Sequence, residues 1–548
     1  MAEAVIVEGP ADGAPAGRER RSRRPDAALA ALVAAAAVLN AAYSLMRLRA
    51  FRASTYDLVI FDQAVRSYSR FDAPVAMVKG VHNGFGPDFA ILGDHFSPLL
   101  AVIAPFYRLH DGPGTLLVAQ GVLLALAIVP IWRYTSRRLG DRAAFCASAA
   151  YALSWPVAEA LAFDFHEVAF VPLLSALMVE RYDAGRRGQA AVAAFVLLLA
   201  KEDMGLLLAG FGLYLLVRRQ QEPAPVPGDG ATRADAGRTS RLRGLLQWVR
   251  RLPEDRRAGA AYILVGLVAT WVCSRLLIAA FGGDNDYYWA YGSLGPDLPR
   301  AAVHVLTHPW DAVAALGTPP RKLGTLALLV LPLLLLPLAS PLALTAVPLL
   351  AERMLASSFP NWWEPSYHYN AFIIAVLVLA AVDGAVRLRE RLLPRLRRSA
   401  RWRWIARAAR WPGGAGAPRA LPLAAVLVAT AVSVPFFAWK HMADPALWRR
   451  NERARAADAV AARIPDGALV ESANVVGPAL TSRTRVLLWD QVPRGAPWVV
   501  ADVERREFPF ASVDEQRRRV AELLAGGYEE VVRRDGYVVL RRDVPGPW

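Results

Sequence analysis

Four short polar motifs interrupt long apolar runs in this chain: Tyr56-Asp57-Leu58-Val59-Ile60-Phe61-Asp62-Gln63, Gly93-Asp94-His95-Phe96-Ser97-Pro98, Asp164-Phe165-His166-Glu167 and Lys201-Glu202-Asp203. Two later groups, Glu352-Arg353 and Glu364-Pro365-Ser366-Tyr367-His368-Tyr369, repeat the same residue types. Carboxylates can take a proton from a hydroxyl, imidazoles can move protons or bind a metal, and a lysine or arginine can hold a phosphate. Ionisable groups at membrane depth are costly and usually face a polar cavity, so their collection at helix ends points to one shared site. The plain alternative is a scatter of solvated loop residues.

Each motif leaves readings open. Ser54-Thr55 can cap a helix whose Leu58, Phe61, Val65 and Tyr68 share one face, an amphipathic helix expected to lie at the membrane interface. Asp57 at its start is either a general base or only a first-turn acid favoured by the helix dipole. Asp94 orients the imidazole of His95, or both bind a divalent metal, or His95 caps the next helix. Asp164 and His166 flank Phe165, and on extended backbone both polar groups point one way. Lys201 pairs with Glu202 and Asp203, or holds a lipid phosphate at headgroup level. Arg353 and His368 offer further donors, while Trp362, Trp363, Tyr367 and Tyr369 form an interfacial aromatic belt or a sugar-stacking wall.

The elements that must position these residues are membrane helices. Of 548 residues 55% are hydrophobic, yet 64 Lys+Arg stand against 48 Asp+Glu for a net charge of +16, and the mean hydropathy is +0.26. That mixture excludes a single soluble domain, and apolar runs of spanning length make the basic surplus a matter of loops on an anionic leaflet, not of nucleic acid. Cys146 and Cys273 both fall in apolar runs, which excludes a disulfide framework and a cysteine-based zinc site.

Residues 1–26, ending in an arginine cluster, read as a disordered cytoplasmic tail. The run Ala27–Met46 is longer than the core of a cleaved signal peptide and reads as a retained first helix. Further spans are expected near 113–133, 143–161, 167–180, 188–200, 204–217, 259–281, 322–338, 340–354, 370–387 and 420–438, eleven in all, with 97–106 too short to cross. Arginine-rich connections fall on the cytoplasmic side if the N-terminus is inside, which puts the polar motifs and everything after Lys440 outside. Residues 220–241 read as disordered, and 387–410, with ten arginines among leucines and tryptophans, as a helix on the inner leaflet. The expected fold is therefore an all-α polytopic bundle over 27–439 with a soluble α/β domain over 440–548. Strands are expected at Ala468–Glu471, Val486–Trp489, Trp498–Ala501, Glu530–Arg533 and Tyr537–Leu540, and helices at Arg449–Arg463 and Val513–Leu524. Asp535-Gly536 marks a hairpin, and without a glycine-rich phosphate loop the domain reads as an accessory or docking module.

With an acid opening an amphipathic helix in the first outer loop and an aromatic four residues on (Asp57, Phe61), the chain resembles the GT-C superfamily of membrane glycosyltransferases. The set YDLVIFDQ, GDHFSP, DFHE and KED, followed by a soluble α/β tail, is similar more narrowly to a bacterial family of multi-pass membrane proteins of unknown function grouped with GT-C. The resemblance implies a transferase of the plasma membrane that takes a sugar from a polyprenyl-phosphate donor to an extracytoplasmic acceptor by an inverting route. It implies Asp57, alone or with Asp62, as base or metal ligand. Leu58 stands where many GT-C members carry a second acid. Lys201, Glu202, Asp203, Arg353 and His368 would then face the substrate, and a divalent metal, Mg or Mn, would sit on Asp94, His95, Asp164 and His166. The expected partners are a lipid-linked sugar and membrane lipids. A transporter or flippase, or a noncatalytic envelope-assembly protein, remains the alternative.

Overall fold

The computed structural model describes residues 23–218, 253–284, 289–392 and 419–543. Most of the expected tail, all of 220–241 and most of 387–410 lie outside the described residues. Among them, four helices are long and apolar enough to cross a membrane: Asp26–Arg49, Pro113–Leu139, Glu254–Ala280 and His368–Glu390. Three shorter apolar helices, Arg187–Leu198, Met204–Val217 and Leu421–Phe436, match further expected spans.

Of the remaining expected spans, 167–180 is a 3₁₀ turn running into the helix Val171–Asp183, and the others are broken helices. The run 143–161 divides into Asp141–Leu153 and Trp155–Ala162 at Ser154, and Pro156 sits in the first turn of the second piece, where its missing N–H removes no helix bond. The pair 322–354 departs furthest. Its helix Arg321–Val330 ends before Leu334 and Leu335, both at positive φ, and short 3₁₀ turns follow before Val347–Leu355. Pro332, Pro337, Pro341 and Pro348 withhold the N–H groups that a continuous helix needs. Two helices that sequence reading passed over, Leu298–Thr307 and Pro309–Gly317, leave Leu306 and Trp310 exposed, as amphipathic helices resting on a membrane surface would.

Helices Met204–Val217 and Glu254–Val272 run against each other through glycine. A Cβ at Gly205 would lie 2.0 Å from the Gly266 carbonyl oxygen, one at Gly266 2.3 Å from that of Gly205, and Gly212 and Gly259 face each other in the same way one heptad along. Side chains there would part the backbones, since small residues are what allow such close approach in a membrane. We expect Gly205→Leu to lower the thermal unfolding temperature in detergent, overpacking of this kind costing about 1–3 kcal/mol; an unchanged transition would contradict the contact.

The C-terminal unit is a five-stranded sheet in the order β2-β1-β3-β5-β4: β1 Leu469–Ser472, β2 Arg485–Leu488, β3 Trp498–Asp502, β4 Glu529–Arg534 and β5 Tyr537–Arg541. The first three are mutually parallel, and β5 runs antiparallel to both of its neighbours, β3 and β4. Helices Glu452–Ala461 and Val513–Ala525 are capped by the side chains of Asn451 and Ser512. All five expected strands and both helices are present. The β4–β5 turn holds Asp535 at φ 46 and Gly536 at φ 80, the two positive values that a tight hairpin turn requires.

The segment after the first helix packs against this C-terminal unit. A π-helical turn, Thr55–Val59, runs into the helix Ile60–Ser69, with Leu58, Phe61 and Val65 buried as their spacing predicts. The polar face of this helix turns to the C-terminal domain. Gln63 donates to the Val486 carbonyl at 3.0 Å and accepts from the Val78 N–H, while Asp62 and Arg66 reach Thr481, so both faces are covered by protein.

Candidate functional site

Helix ends from six parts of the chain deliver the polar motifs to one side of the bundle. Asp57, in the π-helical turn, accepts from the Ser54 hydroxyl at 3.3 Å, and its other oxygen lies 3.5 Å from His166 Nε2. Its side chain is one-quarter exposed, that of His166 only 8%. His166 stacks on His368 with ring centroids 3.8 Å apart, and Phe163 stacks against both. The turn carrying His166 is held by Gln120, whose amide donates to the carbonyls of Asp164 and Ala160 and accepts from the His166 N–H. Asp164, at φ 65, accepts from the Ser54 N–H and hydroxyl and faces Arg47 at 3.7 Å. Burial pushes its carboxyl up, against the pull of Arg47.

Beside this lies a second, denser group. Lys201 Nζ is 2.7 Å from His95 Nδ1, 3.1 Å from Glu167 Oε1 and 3.2 Å from Glu202 Oε1. Two of its ammonium protons meet carboxylates and the third lies against the His95 ring nitrogen, which itself reaches Glu202 at 3.0 Å, so the lysine is engaged where it stands. Burial alone would push Lys201 down, but Glu202 and Glu167 hold it well above its usual value. Glu202 also accepts from the Phe96 N–H, and Asp94 is paired with Lys79 at 2.9 Å. For His95, burial and Lys201 act downward and are outweighed by Glu202 and Asp94, which raise its pKa. Asp203 is pushed up to about 7 by burial, with Lys201 opposing and Glu202 adding to the rise.

Several buried polar atoms of these groups have no hydrogen-bond partner among the described residues: His166 Nδ1, His368 Nδ1, Glu167 Oε2, Asp203 Oδ1, and Nε and Nη2 of Arg353. Buried polar groups are nearly always hydrogen-bonded, so such a concentration marks a place built for something else. Arg353 is 3% exposed, and its only hydrogen bond among the described residues, to Asn370 Oδ1, is long at 3.4 Å. Glu167, which meets Lys201 at 3.1 Å, directly follows His166 in the chain, so the two groups adjoin.

Of the expected site residues, Asp57, His166, His368, Lys201, Glu202, Asp203, His95 and Arg353 come together, and Asp94 and Asp164 line the edges. Asp62 does not join them. It is fully buried, accepting from Tyr107 at 2.8 Å and Thr481 at 2.7 Å and pairing with Arg66 at 2.8 Å, so it fastens the first outer helix to the C-terminal sheet. The metal set also divides: Asp94 goes to Lys79, His95 to Lys201 and Glu202, Asp164 to Ser54 and Arg47, and His166 to Asp57 and His368. Among the described residues no three His, Cys, Asp or Glu side chains are grouped to hold a metal ion. Capping by Ser54 fails as well, because its hydroxyl is turned to Asp164 and Asp57.

Sequence reading missed Gln120 and Asn474. A lone glutamine inside the apolar run Pro113–Leu126 was a usable signal, since a polar side chain within a span needs a reason. Asn474 carried none, because its partners lie more than four hundred residues away.

Spanning and broken helices with their polar ends gathered on one side, closed by a small sheet domain, define a multi-pass membrane protein. The chain belongs to a family described as predicted membrane protein (DUF2079), whose model matches residues 47–539. No curated protein matches it. Among solved structures, it is similar to ArnT from Cupriavidus metallidurans bound to undecaprenyl phosphate, at 14% identity over 95% of this chain and 99% of that one, with a TM-score of 0.49. It is also similar to the Archaeoglobus fulgidus oligosaccharyltransferase tethered with an acceptor peptide, at 11% identity over 86% of this chain and 69% of that one, with a TM-score of 0.40.

Proposed function

We propose that the protein is a GT-C-type inverting glycosyltransferase that moves a sugar from a polyprenyl-phosphate donor to an extracytoplasmic acceptor. The observation that carries this reading is a partly exposed carboxylate, Asp57, beside His166 and His368, with a buried guanidinium, Arg353, that reaches Asn370 in the same turn as His368 and has two nitrogens without a hydrogen-bond partner among the described residues. Inverting transfer needs a base to take the acceptor hydroxyl proton and a cation to receive the charge developing on the departing lipid phosphate. Asp57 supplies the first. Arg353 supplies the second, because the three donors of Lys201 are already engaged, and the role expected for Lys201 becomes that of neutralising Glu167 and Glu202. His368 and Asp203, each with a buried unpartnered atom, complete the substrate wall.

This function places the bundle, residues 27–439, in the plasma membrane, with eleven crossings counting the short and broken helices. The N-terminus is inside and the domain 440–548 outside. A cysteine introduced at the exposed Ser512 should react with a membrane-impermeant reagent on intact cells; labelling only after lysis would invert the topology and with it the site. The reaction itself is tested with purified protein in lipid vesicles, offered a panel of polyprenyl-phosphate sugars. Binding and turnover of at least one is expected. Failure to bind any lipid-linked sugar would favour a transporter or an assembly protein.

A further inference from the structure

The turn that carries Asp57 receives its helix cap from the other end of the chain. The first N–H groups of a helix have no partner within it and are usually satisfied by a side-chain oxygen just before it. Ser54 occupies that position but bonds Asp164 and Asp57 instead. The free amides point to Asn474 of the C-terminal domain. Thr55 N lies 2.7 Å from the Asn474 carbonyl and 3.0 Å from its Oδ1, Tyr56 N lies 3.1 Å from the same Oδ1, and the Thr55 hydroxyl donates to the Asn474 carbonyl at 2.7 Å.

Asn474 is itself held firmly. The next residue, Val475, donates its N–H to Glu507 Oε2 at 3.2 Å, and Val476 N–H bonds back to Ala473. Gly477 lies so close that a Cβ there would stand 2.2 Å from the Thr55 hydroxyl oxygen. Thr55 is fully buried in this grip.

We propose that Asn474 is a positioning residue for the transfer reaction, capping in trans the turn that bears Asp57 and so fixing the Asp57 carboxylate against His166. The C-terminal domain is then part of the reactive site and not a separate docking module. This rests on Asp57 acting as base.

The test uses the full chain in lipid. Asn474→Ala should lower kcat about 10- to 100-fold, the effect of a base displaced by about an ångström, with KM for the lipid donor and the unfolding temperature unchanged. Amide hydrogen exchange in a peptide covering 53–60 should quicken about tenfold, as expected when a cap is lost. Asn474→Asp keeps an acceptor oxygen at the same place and should restore both. Gly477→Ala, which pushes on Thr55 with Asn474 intact, should reproduce the fall in kcat. Wild-type kcat and exchange in Asn474→Ala would overturn the proposal, and so would a common loss of kcat, donor binding and unfolding temperature that Asn474→Asp does not restore. An active Asp57→Asn variant, or a wild-type protein without transfer, would instead remove the base reading. The exchange rates would then still decide whether Asn474 fixes the turn.

Discussion

Replacing Asp57 by asparagine should abolish glycosyl transfer while leaving the protein inserted and folded. Proton abstraction by a positioned carboxylate is worth about 10²- to 10⁴-fold in rate, and an amide cannot accept the proton. Asparagine keeps the size and still offers an oxygen to the Ser54 hydroxyl, the contact at 3.3 Å, so the turn has little reason to move. The neighbouring Asp164 does not substitute for it: its side chain is 6% exposed and already accepts twice from Ser54. The measurement is transfer from polyprenyl-phosphate sugars by purified protein, alongside its unfolding temperature. Full activity in Asp57→Asn would remove Asp57 as base.

What could be read from the sequence follows the range of the interactions involved. The C-terminal strands were legible because alternation and a glycine turn are local, and Asp535-Gly536 carries its positive φ values in its own composition. The polar motifs were legible because charge inside apolar runs is costly wherever it occurs. Other features depend on pairing between distant segments. The facing glycines at 205, 212, 259 and 266 look like ordinary small residues until two helices are laid antiparallel. Asp62 and Asp57 are alike in sequence, and only Tyr107, Arg66 and Thr481 closing on Asp62 distinguish a fastening from a base. The amphipathic pattern of the helix Ile60–Ser69 was right about its buried apolar face and silent about the C-terminal domain that its polar residues Asp62, Gln63 and Arg66 reach, since such pairing is long-range. The prolines of 322–354 fit a connection between two spans as well as breaks within them, and do not say how the chain folds back.

The same distinction between a satisfied and an unsatisfied cation separates two substitutions that the sequence treated alike. Lys201→Met should destabilise the protein by about 3–5 kcal/mol, because it leaves the carboxylates of Glu167 and Glu202 buried without their cation. The loss should appear as a lower unfolding temperature without any substrate present. Arg353→Met should do the opposite. Its guanidinium is buried with one long hydrogen bond and two idle nitrogens, so little native energy goes with it, and the unfolding temperature should stay the same or rise. On the proposed function, what Arg353→Met removes is the pair of charge-assisted bonds to the donor phosphate. At about 1.5–3 kcal/mol each, these predict a loss of donor affinity of at least tenfold. Both quantities come from one preparation: thermal unfolding, and binding of a polyprenyl phosphate in vesicles. A destabilised Arg353→Met that binds lipid normally, with a stable Lys201→Met that does not, would return the phosphate to Lys201 and give Arg353 the structural part.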